Sequence, residues 1–205
     1  MAGVVTIFGG SGFIGRAIVR LLARQGWRIR VAMRSPADAR ALQPLGDVGQ
    51  ITVLGVKVQD EAMVKAAVEG ADAVINLTGI LYESGEPTFQ AVHVDGPSYI
   101  AKAASAAGVR ALVHLSAIGA DSASASAYAR SKAAGEAAVL AAFPKASILR
   151  PSIVFGPEDS FFNRFATMAQ LSPVSPLVGG GTTKYQPNRQ KPGRIAPYGP
   201  SPTYG

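Results

Sequence analysis

The sequence has 205 residues, of which 48% are hydrophobic and 16% charged, and this balance predicts one globular domain rather than a disordered chain. It contains no cysteine, which excludes disulfides and zinc–thiolate sites, and its two histidines lack metal-ligand spacing, so we expect no metal. The net charge is +7, and four of the positive charges lie in the last 22 residues, which hold no acid. The excess charge therefore belongs mostly to this end of the chain and does not predict nucleic-acid binding. No apolar stretch reaches the length of a membrane span, and a first strand starting at residue 3 or 4 leaves no space for a targeting segment. We therefore expect a cytoplasmic protein.

The first predicted strand ends in a glycine-rich turn that continues into an amphipathic helix, predicted over Phe13–Gln25. The glycines Gly9, Gly12 and Gly15 are spaced three apart. In such a turn the first glycine permits the tight bend, the second lets the backbone approach a pyrophosphate, and the third packs the helix closely on the strand. The N–H groups and dipole of the helix N-terminus favour phosphate. The pattern predicts a dinucleotide site, the alternative being an ordinary glycine-rich turn.

The second strand is predicted over Trp27–Arg34, and the residue at its end favours one nicotinamide cofactor. An acid at this position hydrogen-bonds the ribose 2′-hydroxyl, whereas an arginine accommodates a 2′-phosphate. The sequence has Arg34 here and no acid before Asp38. Because a guanidinium binds phosphate with two hydrogen bonds, Arg34 favours NADP(H) over NAD(H). The alternative is a solvated surface arginine.

Alternating strands and helices follow, and they predict a doubly wound parallel sheet of the Rossmann-like α/β class. Asp60 begins the second helix, where it serves either as the N-cap or in the adenine pocket. Thr78 and Gly79 follow the fourth strand and are expected to face the cofactor ribose, because ligands bind at the carboxyl ends of parallel strands. The remaining predicted elements are strands over Ile51–Val58, Asp72–Leu77 and Ala111–Leu115, and helices over Asp60–Glu69 and from residue 89 or 91 to Ala107.

Three side chains after the fifth strand form a candidate catalytic group. Tyr128 and Lys132 are four residues apart on a predicted helix, so they lie on one face, one turn from each other. A lysine ammonium near a phenol favours the phenolate and can also hold the nicotinamide ribose. Ser116, at the end of the fifth strand, is placed to orient a substrate oxygen. The alternative is a chance pair on an exposed alanine-rich helix.

The glycine turn, Ser116 and the Tyr128/Lys132 pair resemble the short-chain dehydrogenase/reductase superfamily in its extended or atypical branch. The stretches 115–121, 128–132 and 148–165 are more particular, and they resemble the NADPH-binding accessory subunits of respiratory complex I and their bacterial relatives. One departure is His93, which stands where many extended members have an asparagine, so a proton relay through this position is not expected.

The resemblance implies a protein that holds NADP(H) mainly as a structural element, docked on complex I subunits and peripheral to the membrane through these partners, on the cytoplasmic face of the inner membrane. It also implies residue roles. The pyrophosphate would contact Gly9, Ser11, Gly12, Phe13 and Ile14; the 2′-phosphate would contact Arg34; the riboses would contact Thr78, Gly79, Tyr128 and Lys132; and the nicotinamide would lie beside Pro151 and Ile153.

The sequence departs from the family pattern after Pro187. Relatives continue with an apolar strand and a substrate-side lobe, whereas residues 188–205 are rich in Pro, Gly and Arg without hydrophobic periodicity. We therefore expect a Rossmann-like domain over 1–187, with the substrate lobe truncated, and a disordered tail over 188–205. The tail is either a natural basic segment or the product of a changed reading frame near residue 187, and we favour the second because the break falls inside a motif.

Three functions stay open on the sequence alone. The leading hypothesis is an NADP(H)-holding accessory or assembly component of an NADH:quinone oxidoreductase without turnover of its own. The second is an NADP-dependent oxidoreductase, epimerase or dehydratase that uses Tyr128 as acid or base. The third, a nucleotide-sensing regulator of the transcription-repressor-binding kind, shares the glycine turn but usually lacks the Tyr128/Lys132 pair.

Overall fold

The structure is a computed structural model that describes residues 2–152, 154–155 and 188–189. The chain divides into two units, residues 1–152 and residues 153–205. In the first unit the strands are β1 (Val4–Phe8), β2 (Arg28–Met33), β3 (Ile51–Gly55), β4 (Ala73–Asn76), β5 (Ala111–Leu115) and β6 (Ser147–Leu149). The helices are α1 (Phe13–Arg24), α2 (Glu61–Val68), α3 (Gly96–Ala106) and α4 (Ala127–Ala142), with short 3₁₀ segments at Pro36–Ala41 and Gln43–Leu45.

The six strands form one parallel sheet in the order β3-β2-β1-β4-β5-β6. The chain moves outward on one side from β1 to β3 and returns to place β4 on the other side of β1. This reversal between β1 and β4 is the topological switch point of a doubly wound sheet, outside whose carboxyl edge ligands bind. The predicted fold class is confirmed.

Side chains of β1 alternate between two apolar layers, one on each face of the sheet. Val5 and Ile7 pack with Val19 of α1, whereas Phe8 packs on the opposite face with residues of α2, α3 and α4. The hydroxyl of Thr6 also reaches that second face, where it donates to the carbonyl of Ala67 at 2.8 Å. Alternation of this kind is what a strand covered by helices on both faces requires.

Two predicted elements differ from the structure for local reasons. The predicted third strand continued to Val58, but β3 ends at Gly55, because the neighbouring β2 ends at Met33 and offers no further partner. The predicted helix before Ala107 begins as a π-helical turn over Gln90–Asp95, with Gly96 N–H donating to the carbonyl five residues back. Pro97 explains this, since it has no N–H to donate to His93 and the ordinary helical pattern is interrupted there.

The described residues of the second unit form two short parallel strands, β7 (Val154–Phe155) and β8 (Asn188–Arg189). Asn188 and Arg189 belong to the segment predicted as a disordered tail. Residues 156–187 and 190–205 lie outside the described residues, so the predicted boundary at residue 187 stays a prediction. None of the helices among the described residues is long and apolar enough to cross a membrane.

Candidate dinucleotide site at the carboxyl edge of the sheet

The turn after β1 has the geometry of a phosphate-binding loop. Gly9 has a φ of +78°, a left-handed conformation that favours glycine, and its carbonyl accepts the N–H of Gly12 at 3.2 Å. A Cβ at Gly15 would lie 2.5 Å from the Gly9 oxygen, so only glycine lets α1 start this close to the turn. A Cβ at Gly12 would contact only that oxygen, at 3.4 Å, and Gly12 is exposed at the N-terminus of α1. The N-terminus of α1 is thus open to solvent at Gly12, where the sequence predicts the pyrophosphate.

The ends of β1 and β4 meet at the switch point. A Cβ at Gly9 would lie 3.1 Å from the carbonyl carbon and oxygen of Leu77, so the glycine turn touches the segment that follows β4. Thr78 is fixed in that segment, since its N–H and its hydroxyl both donate to Oδ1 of Asn76, at 3.0 and 2.7 Å. The amide nitrogen of Asn76 in turn donates to Nδ1 of His114 on β5, at 3.0 Å. The residues expected at the pyrophosphate and at the ribose therefore lie along one continuous edge.

Lys132 reaches this edge from α4. The side chain is 4% exposed, and its Nζ donates to the carbonyl of Leu115, the last residue of β5, at 3.2 Å. A Cβ at Gly79 would lie 3.5 Å from the same Nζ, which brings the predicted ribose-side glycine and the predicted lysine together. Burial lowers the pKa of Lys132 to about 8, although the negative charge of Glu136 acts in the opposite direction.

Tyr128 lies one turn before Lys132 in an aromatic cluster rather than in a polar one. Its ring makes edge-on contacts with His93 and Phe89, with centroid distances of 5.4 and 5.9 Å. We expected Lys132 to lower the pKa of the phenol. This expectation is wrong for this structure, because burial of the ring raises the pKa of Tyr128. The role of Tyr128 as acid or base stays a prediction.

His93 is held as a neutral imidazole by two hydrogen bonds. Its Nε2 accepts the backbone N–H of Ile80 at 3.0 Å, so Nδ1 carries the proton and donates to the Ser131 hydroxyl at 2.9 Å. That hydroxyl donates to the carbonyl of Tyr128 at 2.8 Å. Burial, together with the Lys132 charge, lowers the pKa of His93 to about 4. Both ring nitrogens are therefore engaged in hydrogen bonds. The expectation that no proton relay passes through this position stays a prediction.

Ser116 lies farther inside than its predicted role suggests. The residue is 5% exposed, and its Oγ has no hydrogen-bond partner among the described residues, although it adjoins the carboxylate of Glu136. Nε2 of His114, two residues earlier on β5, is likewise buried and unpartnered within the part of the chain that the structure describes. The predicted contact of Ser116 with a substrate oxygen stays a prediction.

The remaining predicted residues that the structure describes come after the carboxyl ends of β2, β3 and β6. Arg34 directly follows β2 and is exposed. Asp60 is confirmed as the N-cap of α2, since its Oδ1 accepts the N–H of Met63 at 3.0 Å, and it also lines an open cavity of about 420 Å³ with Lys57, Gln59 and Glu86. Pro151 accepts the N–H of Ile118 at 2.9 Å. Ile153 lies outside the described residues. Within the described ranges, no cluster of three or more His, Asp or Glu residues is arranged to hold a metal.

Comparison with known protein families identifies the family of this chain. The sequence model of the NmrA-like family matches residues 1–174. The chain belongs to the NmrA-like family. Its six-stranded sheet and its glycine turn both lie within the matched range.

Some relatives of this chain are named as complex I subunits and others as reductases. The chain is 38% identical to NADH dehydrogenase [ubiquinone] 1 alpha subcomplex subunit 9, mitochondrial, of Arabidopsis thaliana, over 90% of this chain and 46% of that protein. It is 36% identical to a ceramide reductase of Caulobacter vibrioides, over 86% of this chain and 54% of the reductase. The chain thus spans about half the length of the curated relatives it matches. The predicted resemblance to the complex I subunits is confirmed.

A solved structure supports the fold of this NmrA-like chain independently. The Bordetella bronchiseptica enzyme WbmG, in complex with NAD, superposes with a TM-score of 0.68 at 22% identity, covering 83% of this chain and 60% of that one. This likeness confirms the Rossmann-like architecture.

The sequence did not predict two features of this site. One is the ion pair between Glu136 and Arg150, in which Nε and Nη2 of the arginine donate to Oε1 and Oε2 at 2.9 and 2.5 Å. The four-residue spacing from Tyr128 and Lys132 could have placed Glu136 on their face of the helix, but it gives no signal for the pairing with Arg150. The other is the engagement of His93 by Ile80 and Ser131, for which the sequence holds no signal.

Proposed function

We propose that this chain holds NADP(H), mainly as a structural cofactor, and serves as an accessory or assembly component of an NADH:quinone oxidoreductase. The observation that carries the proposal is the similarity to the complex I subunit, which extends over 90% of this chain. The sheet edge supplies further support, because its glycine turn, its ribose-side residues and its buried lysine fit the parts of a dinucleotide in order.

Each part of the cofactor has a matching group on the chain. NADP(H) supplies a transferable hydride when bound, whereas the protein groups hold and orient it. In the proposed arrangement, Lys132 grips the nicotinamide ribose with Tyr128 beside it, and the exposed Arg34 binds the 2′-phosphate, which favours NADP(H) over NAD(H). The other contacts would be Gly9, Ser11, Gly12, Phe13 and Ile14 at the pyrophosphate, Asp60 at the adenine, Thr78 and Gly79 at the ribose, and Pro151 and Ile153 at the nicotinamide.

We also propose the setting of this function. The partners would be other subunits of the oxidoreductase, and the chain would be peripheral, on the cytoplasmic face of the inner membrane through those partners. Residues 1–187 would form the nucleotide-binding part, and residues 188–205 would form a separate tail.

A glycine variant tests the dinucleotide site directly. We expect native mass spectrometry of the purified full chain, without added nucleotide, to give a mass heavier by one NADP(H). In Gly12→Ala the new methyl group has room in the protein, since only the Gly9 oxygen lies within 4 Å, but it stands where the pyrophosphate approaches. We therefore expect the NADPH affinity of Gly12→Ala to fall at least about 10-fold, with Tm within about 2 °C of the wild type.

Gly15→Ala is the contrasting variant. Its methyl group would lie 2.5 Å from the Gly9 oxygen, so both stability and affinity should fall. A wild-type chain that carries no nucleotide and has no measurable affinity for NADPH would contradict the proposed function. If Gly12→Ala binds NADPH with wild-type affinity, the glycine turn is not part of the binding site.

The second candidate function is an NADP-dependent reductase. It is favoured by the similarity to the ceramide reductase and by Tyr128 lying one turn before Lys132. Tyr128→Phe separates the two functions, with NADPH oxidation measured against a panel of aldehydes and ketones. Under the leading proposal the variant lowers NADPH affinity less than about 10-fold and there is no turnover to lose. A wild-type turnover that falls roughly 100-fold or more in the variant would establish the reductase instead.

A further inference from the structure

A buried carboxylate lies next to the proposed cofactor lysine. Glu136 follows Lys132 by one turn of α4, and the two residues are 6% and 4% exposed. Burying opposite charges is costly unless each is compensated. Lys132 donates to the Leu115 carbonyl. Glu136 accepts hydrogen bonds from Nε and Nη2 of Arg150, which directly follows β6.

The arginine approaches from the surface and the lysine lies inside. The side chain of Arg150 is 53% exposed, whereas that of Glu136 is 8% exposed. Burial raises the pKa of Glu136, but the hydrogen bonds and the charge of Arg150 outweigh this effect and leave the pKa below its usual value. Glu136 is therefore ionised at neutral pH, and the charge it carries is partly neutralised by Arg150.

The other groups around Lys132 supply no negative charge. His93 from the π-helical turn and His114 from β5 both have a pKa of about 4, mainly because they are buried, and are neutral at pH 7. Tyr128, on α4 itself, stays a neutral phenol because burial raises its pKa. Among the described residues, Glu136 is the one carboxylate whose charge acts on Lys132.

We propose that Glu136 is a positioning residue that keeps Lys132 as an ammonium at the cofactor edge, and that Arg150 limits how strongly it does so. The inference rests on the proposed function, because Lys132 is the residue assigned to the nicotinamide ribose. Its logic is electrostatic: removing the carboxylate leaves the buried ammonium without its compensating charge, whereas removing Arg150 leaves more of that charge acting on the lysine.

The test is the titration of Lys132 in the nucleotide-free full chain. Lysine labelled with ¹³C at Cε is followed by NMR from pH 6.5 to 10.5, and the Lys132 signal is identified by its absence in Lys132→Arg. The wild-type midpoint is expected near 8. We expect Glu136→Gln to lower the midpoint by roughly one pH unit and Arg150→Gln to raise it. Glu69→Gln, the same change at an exposed position, should leave it unchanged.

The two opposite shifts separate this role from a merely structural one. A Glu136→Gln midpoint equal to the wild-type value overturns the proposal, as do shifts of both variants in one direction. If Glu136→Gln does not fold, Arg150→Gln decides alone, since it changes a half-exposed side chain, and the absence of an upward shift overturns the proposal. Because no nucleotide is present, a chain that shows the shifts but does not bind NADPH refutes only the proposed function.

Discussion

Replacing Lys132 by methionine is expected to stabilise the nucleotide-free chain while strongly weakening NADPH binding. The folded-state pKa of about 8, against 10.5 for an ordinary lysine, means that the buried charge costs roughly 3 kcal/mol at pH 7. Losing the hydrogen bond to Leu115 destabilises the chain by about 1 kcal/mol, which offsets part of this gain. The free energy of unfolding should therefore rise by about 2 kcal/mol, with Tm roughly 4–8 °C higher, and NADPH affinity should fall about 100-fold.

The pH dependence gives the sign of this effect a second check. Because the pKa of Lys132 is depressed on folding, the unfolded chain binds more protons between pH 8 and 10.5. The cost of the buried charge is complete below pH 8 and disappears as the pH rises through this window. Between pH 8 and 10.5 the free energy of unfolding of the wild type should therefore rise relative to that of Lys132→Met. Denaturant titration at each pH measures this difference.

The matched control is Lys102→Met, on an exposed position of α3. It should change neither stability nor NADPH affinity. Breaking a buried ion pair usually destabilises, because one charge is left without a partner. Here Glu136 keeps its pairing with Arg150, so that penalty is avoided. A Lys132→Met chain less stable than the wild type at pH 7 would show that Lys132 is needed for folding rather than for the ligand.

Local patterns were sufficient to predict most of the sheet. Gly9 and Gly15 marked the first turn because their spacing serves one backbone geometry, and Ala111–Leu115 was predicted with the bounds it has in β5. The third strand was predicted too long because Val56 and Val58 are apolar, yet strand length depends on the partner, which ends at Met33. Partner length is not encoded in the strand itself.

The sequence predicted which of these residues lie near one another better than it predicted their surroundings. Gly79 was expected near the ribose because it follows a strand end, and Lys132 because of its spacing from Tyr128 on the helix after the fifth strand. In the structure a Cβ at Gly79 would lie 3.5 Å from Nζ of Lys132. The pKa of Tyr128 was expected to fall because only the nearby charge was considered, whereas burial among aromatic rings depends on the distant Phe89 and His93. The Glu136–Arg150 pair likewise requires α4 to lie beside the end of β6, a tertiary contact that spacing does not reveal.

Gly135→Ala is expected to destabilise the chain strongly, although alanine is the better helix former. At an unobstructed helical position this change would stabilise by up to about 1 kcal/mol. At position 135 of α4 the new methyl group would overlap the carbonyl oxygen of His93 in the π-helical turn. We expect a loss of about 3 kcal/mol in the free energy of unfolding, or roughly 6–12 °C in Tm, measured by thermal and denaturant unfolding.

The same substitution should also weaken NADPH binding, because α4 carries Lys132, the lysine of the proposed site. Pro97 has no N–H for the His93 carbonyl, and Gly135 is what lets α4 pack against that oxygen while Ser131 bonds the His93 ring. Moving α4 outward would displace Lys132 from Gly79. Ala134→Gly, the reverse change at the neighbouring exposed position, should cost about 1 kcal/mol through helix propensity alone and leave the affinity intact. A Gly135→Ala chain more stable than the wild type would mean that α4 and the π-helical turn do not pack in this way.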